Sequence, residues 1–281
     1  MDLQENLKTT HIEVSNTLSV LDESTNSPFC GGNKVRKLNR ILGQERSKGL
    51  LTFGSKYSSH CLAVAYWGAK HDCPVRLLVV DEEEIDTRRF PHLVLSKRLG
   101  ADLIFVPNAQ AYERISGEQV KFPGYRWIPG GGHCMAGLEA YKAWFLSVLS
   151  EYPELRTRTK VVLPYGTGTT ALGILAAIRE EGLSMRVIGV SVSRDRIRCL
   201  TAAREFIDEA SIKFLQIDDR YSGRYGERER HHDAIRMGFL KRTGILPDPV
   251  YNVRVVEYLY EENVTEGILV HTGGQLNNLL L

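Results

Sequence analysis

Lys160-Val161-Val162-Leu163-Pro164 runs directly into Tyr165-Gly166-Thr167-Gly168-Thr169-Thr170. The first five residues read as a short, nearly continuous apolar strand, the pattern of a parallel strand covered on both faces. The periodic stretch 169–182 behind it predicts a helix. A strand that feeds a glycine- and threonine-rich turn opening a helix gathers backbone N–H groups, hydroxyls and the positive end of the helix dipole at one point. That makes an anion cradle. The turn is neither a GxxxxGK[ST] loop nor a GxGxxG loop. Its two glycines and three threonines suit one phosphate monoester better than a pyrophosphate. The plainer alternative is an ordinary strand-to-helix turn with a threonine cap.

The same alternation continues on both sides. Apolar runs at 50–54, 75–80, 102–106, 186–190 and 267–271 read as strands. Helical patterns lie near 35–48, around Ala63, Ala65 and Ala69, near 86–99 and over 135–151. Strands alternating with helices indicate parallel sheets covered on both faces. The expected fold class is therefore α/β and two-lobed, each lobe a mostly parallel sheet flanked by helices. Segments 1–37 and 127–281 are assigned to a larger lobe, and 38–126 to a smaller one. The turn-rich stretches 121–125 and 129–132 are the hinge candidates.

Composition narrows the function classes. With 281 residues the chain can bury a large core, and its net charge of +2 leaves no basic footprint for nucleic acid. The apolar runs are too short for a membrane span, and residues 1–6 lack a signal pattern. Five scattered cysteines, without a Cys-x-x-Cys pair, argue for a reducing compartment rather than a disulfide framework or zinc site. A cytoplasmic protein is expected.

Gly31-Gly32-Asn33-Lys34-Val35-Arg36-Lys37-Leu38 carries the second chemical signal. Glycines let backbone approach a ligand closely. A lysine at a helix mouth, in a partly dry pocket, shifts toward its neutral nucleophilic form and can make a Schiff base. The alternative is a solvated basic helix start, since Arg36, Lys37 and Arg40 follow. A Schiff-base lysine together with a monophosphate cradle suggests pyridoxal phosphate.

At this point several blocks, in order, resemble the 1-aminocyclopropane-1-carboxylate deaminase and D-cysteine desulfhydrase family, within the tryptophan-synthase-β-like fold (fold type II) of pyridoxal phosphate enzymes. They are Phe29–Leu38, Gly54–His60, Ile128–Gly132, the loop 166–170, Arg224-Tyr225-Gly226, Asp248–Tyr251 and Val270–Gly274. The resemblance runs from about 19 to 275. It implies that Lys34 holds the cofactor and then serves as a base. It places the phosphate on Gly166, Thr167, Gly168, Thr169 and Thr170, with Asn33 beside the lysine. It also implies that Ser58 lies near the substrate carboxylate, and that Tyr225 and Tyr251 flank the substrate. Read alone, each tyrosine is equally a packing residue with a wet hydroxyl.

Departures from the family pattern carry information too. Ser59 stands where the family has an asparagine that contacts the cofactor's ring hydroxyl, so that contact is expected to be lost or bridged by water. Asn252 stands where the deaminases carry a glutamate facing the pyridine nitrogen, so the electron sink is expected to be weaker. The ends are shorter, which leaves apolar surface for a homodimer to cover. Thr272 matches the desulfhydrases; the deaminases have leucine there.

His231-His232-Asp233 suggests a metal, but adjacent side chains diverge on a helix, so none is expected. Asp81–Glu84 reads as a solvated helix start, Arg224–Arg230 as a substrate loop or plain surface, and His60 as a residue stacked near the cofactor or a polar helix start. The expected function is elimination or deamination of a small amino acid, closest to D-cysteine desulfhydrase. The alternatives are ring opening, a catalytically impaired scaffold protein, and β-replacement in a specialised pathway.

Overall fold

The computed structural model describes residues 7–27, 30–43, 47–81, 85–107, 110–222 and 229–279. In chain order the elements are β1 (Thr10–Glu13), β2 (Leu18–Asp22), α1 (Asn33–Leu42), β3 (Gly49–Gly54), α2 (Ser59–Lys70), β4 (Val75–Asp81), α3 (Pro91–Arg98) and β5 (Asp102–Pro107). There follow α4 (Ala111–Lys121), β6 (Tyr125–Trp127), α5 (Met135–Glu151), β7 (Lys160–Tyr165), α6 (Thr169–Glu180), β8 (Arg186–Ser191), α7 (Arg196–Ala203) and α8 (Glu209–Ile212). The last are β9 (Leu215–Asp218), α9 (Arg230–Thr243), α10 (Asn252–Glu261) and β10 (Gly267–His271).

The strands form two sheets, as an α/β reading requires. A six-stranded sheet has the order β1-β2-β10-β7-β8-β9, and a four-stranded sheet the order β5-β4-β3-β6. Every pairing is parallel except β1 with β2. Strand alternation sends successive side chains of the larger sheet to opposite faces. Val161, Leu163, Val187, Ile268 and Val270 join the core formed with α5 and α6. Val162, Ile188, Val190 and Leu269 join the core formed with α9 and α10. Both faces are thus covered, which explains why these strands read as unbroken apolar runs.

Helix α1 joins the two halves of the molecule. Its Val35, Leu38, Ile41 and Leu42 pack with Leu50 and Leu77 of the smaller sheet, while the helix also lies against α5. Lys34 therefore sits at a helix mouth between the two sheets.

Several elements differ from the sequence expectations. The helix expected near 35–48 ends at Leu42, at Gly43. The one near 86–99 is a 3-10 turn, Thr87–Arg89, followed by α3 with Pro91 in its first turn. Between the two expected hinges runs β6, which pairs with β3, and Gly130–Gly132 is itself a 3-10 turn. Strands β1, β2 and β9 and helices α4 and α7 to α10 add to the elements expected from the sequence. Among the described residues no helix is long and apolar enough to cross a membrane.

Candidate active site

The C-terminal ends of β3, β7 and β10 converge with the N-termini of α1, α2 and α6, the place where open parallel sheets bind ligands. Gly32 makes the convergence possible. Its φ is +135°, and a Cβ there would lie 2.8 Å from the Thr272 carbonyl oxygen. The next amide, Asn33 N–H, donates to that carbonyl at 3.0 Å. The Asn33 side chain donates to Thr170 Oγ1, also at 3.0 Å, and so ties the lysine segment to the loop behind β7.

Lys34 lies in the wall of two cavities, which share Lys34, Gly166 and Tyr251. One is completed by Asn33, Ser59, His92 and Thr272, the other by Ser58, His60, His133, Thr167 and Arg194. None of the described residues lining either cavity is an aspartate or a glutamate. Lys34 is half-buried, and desolvation pulls its ammonium down to about 8.

The loop 166–170 presents an unsatisfied donor set. Thr167 Oγ1 is buried with no hydrogen-bond partner among the described residues. Helix α6 starts at Gly168 with no side-chain cap on its first amides. Gly168 has φ +89°, and a Cβ there would strike the Tyr165 hydroxyl at 2.3 Å, so the tight turn requires glycine. Thr169 and Thr170 differ from the expectation that the whole loop faces a ligand. Their hydroxyls are engaged, Thr169 with His133 Nδ1 at 2.8 Å and Thr170 with Asn33.

Ser58 caps α2: its Oγ accepts the Cys61 amide at 3.1 Å, which leaves its own proton for a ligand oxygen. Asn252 is placed differently from its expected role. It lines neither cavity. Its amide donates to Asp248 Oδ1 at 2.6 Å and to the Gly273 carbonyl at 2.8 Å, and its oxygen accepts from Thr272 N–H at 3.1 Å. It staples the start of α10 to the end of β10, and the side chain that meets the cavity there is Thr272. Tyr251 meets both cavities. Tyr225, the other expected tyrosine, lies outside the described residues.

Sequence reasoning missed Lys37, His92, His133 and Arg194. Lys37 is one turn on from Lys34 and 1% exposed, with Nζ donating to the Gly131 carbonyl at 3.3 Å. Desolvation, then the charge of Lys34, holds its ammonium well below the usual lysine value. The i, i+3 spacing to Lys34 was the available signal. His60 is tautomerically locked. The Thr52 hydroxyl donates to the Ile128 carbonyl at 2.7 Å, so at 2.9 Å it must accept from His60 Nε2–H. Burial, with Lys34 and Lys37 nearby, takes this imidazole down to about 3. His133 is drawn to about 4 by burial, then by Lys37.

The expectation that His231 and His232 diverge does not hold. Their ring centroids are 4.5 Å apart, and both meet Glu257, at 2.5 Å and 3.2 Å. Their donor atoms lie within 4.8 Å of one another and of Glu229.

Comparison with known proteins adds the family. A family model described as pyridoxal-phosphate dependent enzyme matches residues 6–246. A putative 1-aminocyclopropane-1-carboxylate deaminase of Pyrococcus abyssi is 24% identical over 268 residues, covering 87% of this chain and 80% of the relative. A putative mitochondrial D-cysteine desulfhydrase 2 of Oryza sativa is 24% identical over 309 residues, covering 89% and 75%. Among solved structures, one described as an ACC deaminase homologue superimposes with a TM-score of 0.78 at 20% identity, covering 100% of this chain and 95% of that one.

Proposed function

The chain belongs to the pyridoxal-phosphate dependent enzymes and, within them, to the 1-aminocyclopropane-1-carboxylate deaminase and D-cysteine desulfhydrase family; on that premise we propose that it eliminates the β-substituent of a small amino acid, in the manner of a D-cysteine desulfhydrase. It is an enzyme of the lyase or deaminase class that uses pyridoxal phosphate. The cavity residues fit that cofactor. The orphaned Thr167 hydroxyl and the uncapped start of α6 suit its phosphate, and the desolvated Lys34 amine suits its aldehyde.

In this reading Gly166, Thr167 and Gly168 hold the phosphate directly, while Thr169, Thr170 and Asn33 brace the loop. Arg194 adds positive charge beside it, and a phosphate there would favour the protonated form of the nearby Lys37. Thr272 would offer a hydroxyl to the ring nitrogen, and Ser59 one to the ring oxygen. The bound cofactor supplies an electron sink for the bond broken at the substrate's Cα. Lys34 would take the Cα proton. Ser58 donates to the substrate carboxylate, and the Tyr251 phenol hands a proton to the departing group.

The observation that carries the choice of elimination is the absence of any carboxylate among the described lining residues. Without a negative partner for the ring nitrogen the sink is weaker, which suits expulsion of a good leaving group such as thiolate better than cleavage of a carbon–carbon bond. The test is to incubate the loaded enzyme with D-cysteine and with 1-aminocyclopropane-1-carboxylate. Pyruvate, ammonia and hydrogen sulfide from the first are expected. 2-Oxobutanoate from the second, with nothing from the first, would overturn the assignment.

The lysine makes a separate prediction. With its value near 8, about one Lys34 in ten is neutral at pH 7, roughly 300-fold more than for an ordinary lysine. Capture of added pyridoxal phosphate by the apoprotein should accelerate up to about pH 8 and then level off. Stopped-flow absorbance would show it; a rate still climbing at pH 10 would contradict the desolvated lysine.

A further inference from the structure

Ser59, the first residue of α2, shares a cavity wall with Lys34 and with His92 of α3. His92 is 2% exposed, and its Nε2 lies 3.4 Å from Ser59 Oγ, at the long end of hydrogen bonding. Such contacts in ligand-free sites tighten when the ligand arrives. The other nitrogen, Nδ1, is buried and has no partner among the described residues. A buried imidazole with one orphaned nitrogen is a net cost to folding that an apolar side chain of the same size would avoid. Its place at the cavity wall points to a role there.

We infer that His92 is a positioning residue, which holds the Ser59 hydroxyl so that it donates to the ring oxygen of the bound cofactor. The inference rests on the cofactor placement proposed above. Serine has a freely turning hydroxyl and no N–H of its own. Burial brings His92 down to about 4, so at neutral pH the ring carries a single N–H. With that proton on Nε2, Ser59 Oγ accepts from the ring and its own proton is directed into the cavity. With the proton on Nδ1, Ser59 would spend its proton on the ring and offer only lone pairs. The first arrangement complements an oxygen that carries negative charge. The second would repel it.

The test compares absorbance spectra of pyridoxal phosphate-loaded wild type, His92→Phe, His92→Gln, Ser59→Ala, Ser59→Asn and the Ser59→Asn/His92→Phe double variant. Without the donor, the ring oxygen keeps its proton and absorbance passes from the visible to the near ultraviolet. The visible-to-ultraviolet ratio should fall about fivefold in His92→Phe and in Ser59→Ala alike, the worth of one hydrogen bond. Ser59→Asn brings its own N–H and should restore the ratio when His92 is phenylalanine. His92→Gln, which keeps a donor, should fall less than His92→Phe. Equal spectra for wild type and His92→Phe would overturn this inference alone, and so would equal losses in the Phe and Gln variants. A wild type without a visible band would remove the cofactor placement and this inference with it.

Discussion

Lys34→Ala is expected to lower kcat/KM by at least about 10³-fold and to remove the Lys34-dependent visible band of the bound cofactor. Lys34→Arg should not rescue either, because a guanidinium stays protonated and cannot serve as a nucleophile. Lys37→Ala makes the instructive contrast. Lys37 is a buried lysine in the same helix, but it lines neither cavity and its Nζ is bound to the Gly131 carbonyl. Its loss should weaken cofactor affinity and leave the band in place. Stability should move the other way from activity in Lys34→Ala. Burial sets the folded-state value of Lys34, about 8, below that of the unfolded chain, so the charged lysine opposes folding below pH 8. That opposition fades as pH rises from 8 toward the ordinary lysine value. Compared without cofactor, the variant should therefore melt no lower than wild type at pH 7, and any gain should shrink by pH 10. A Tm drop between the two cofactor-free proteins would reassign Lys34 to structure.

What the sequence disclosed and what it concealed follow from the range of the forces involved. The strand β7 and its loop were legible because burial on both faces writes a continuous apolar run, and the tight turn at Gly168 admits only glycine. Lys34 was legible because its neighbours Gly32 and Asn33 serve a close backbone approach. Arg36 and Lys37 read as a solvated basic helix because their partners are remote in sequence, Glu23 upstream and the Gly131 carbonyl far downstream. Strand β2 was hidden by its polarity. Ser19 is wholly buried, and Asp22 meets His271 of β10 at 2.8 Å, a pairing that no local pattern announces. Asn252 was misplaced for a related reason. Its position suggested a ligand contact, but its amide is consumed by Asp248 and the backbone at the end of β10.

Glu23→Ala should be the most destabilising single substitution near the site, by about 3–5 kcal/mol, lowering Tm by roughly 6–12 °C. The Glu23 carboxylate is fully buried and fully used. Arg36 donates to it twice, at 2.6 Å and 2.8 Å, and Thr9, Tyr141 and Asn26 donate at 2.6 Å, 2.8 Å and 3.1 Å. Trp144 Nε1 in turn donates to Thr9 at 2.8 Å. Removal of the carboxylate leaves a largely buried guanidinium, still bound to the Leu7 carbonyl at 3.0 Å, without its counter-charge and among orphaned donors, which is costlier than losing the pair's attraction. The damage should reach the active site, because Asn26 also accepts the Gly32 amide at 2.9 Å and Gly32 sets the entry into α1. Cofactor affinity should therefore fall with stability, although Glu23 lines neither cavity. Glu23→Gln should not repair the loss, since its NH₂ group would face donors rather than acceptors. A Glu23→Met/Arg36→Met variant separates the causes. If the stranded charge dominates, it should melt above Glu23→Ala, as apolar replacements of buried ion pairs do. If it melts as low as the two single losses combined, the network's hydrogen bonds rather than its charge balance hold α1 against α5.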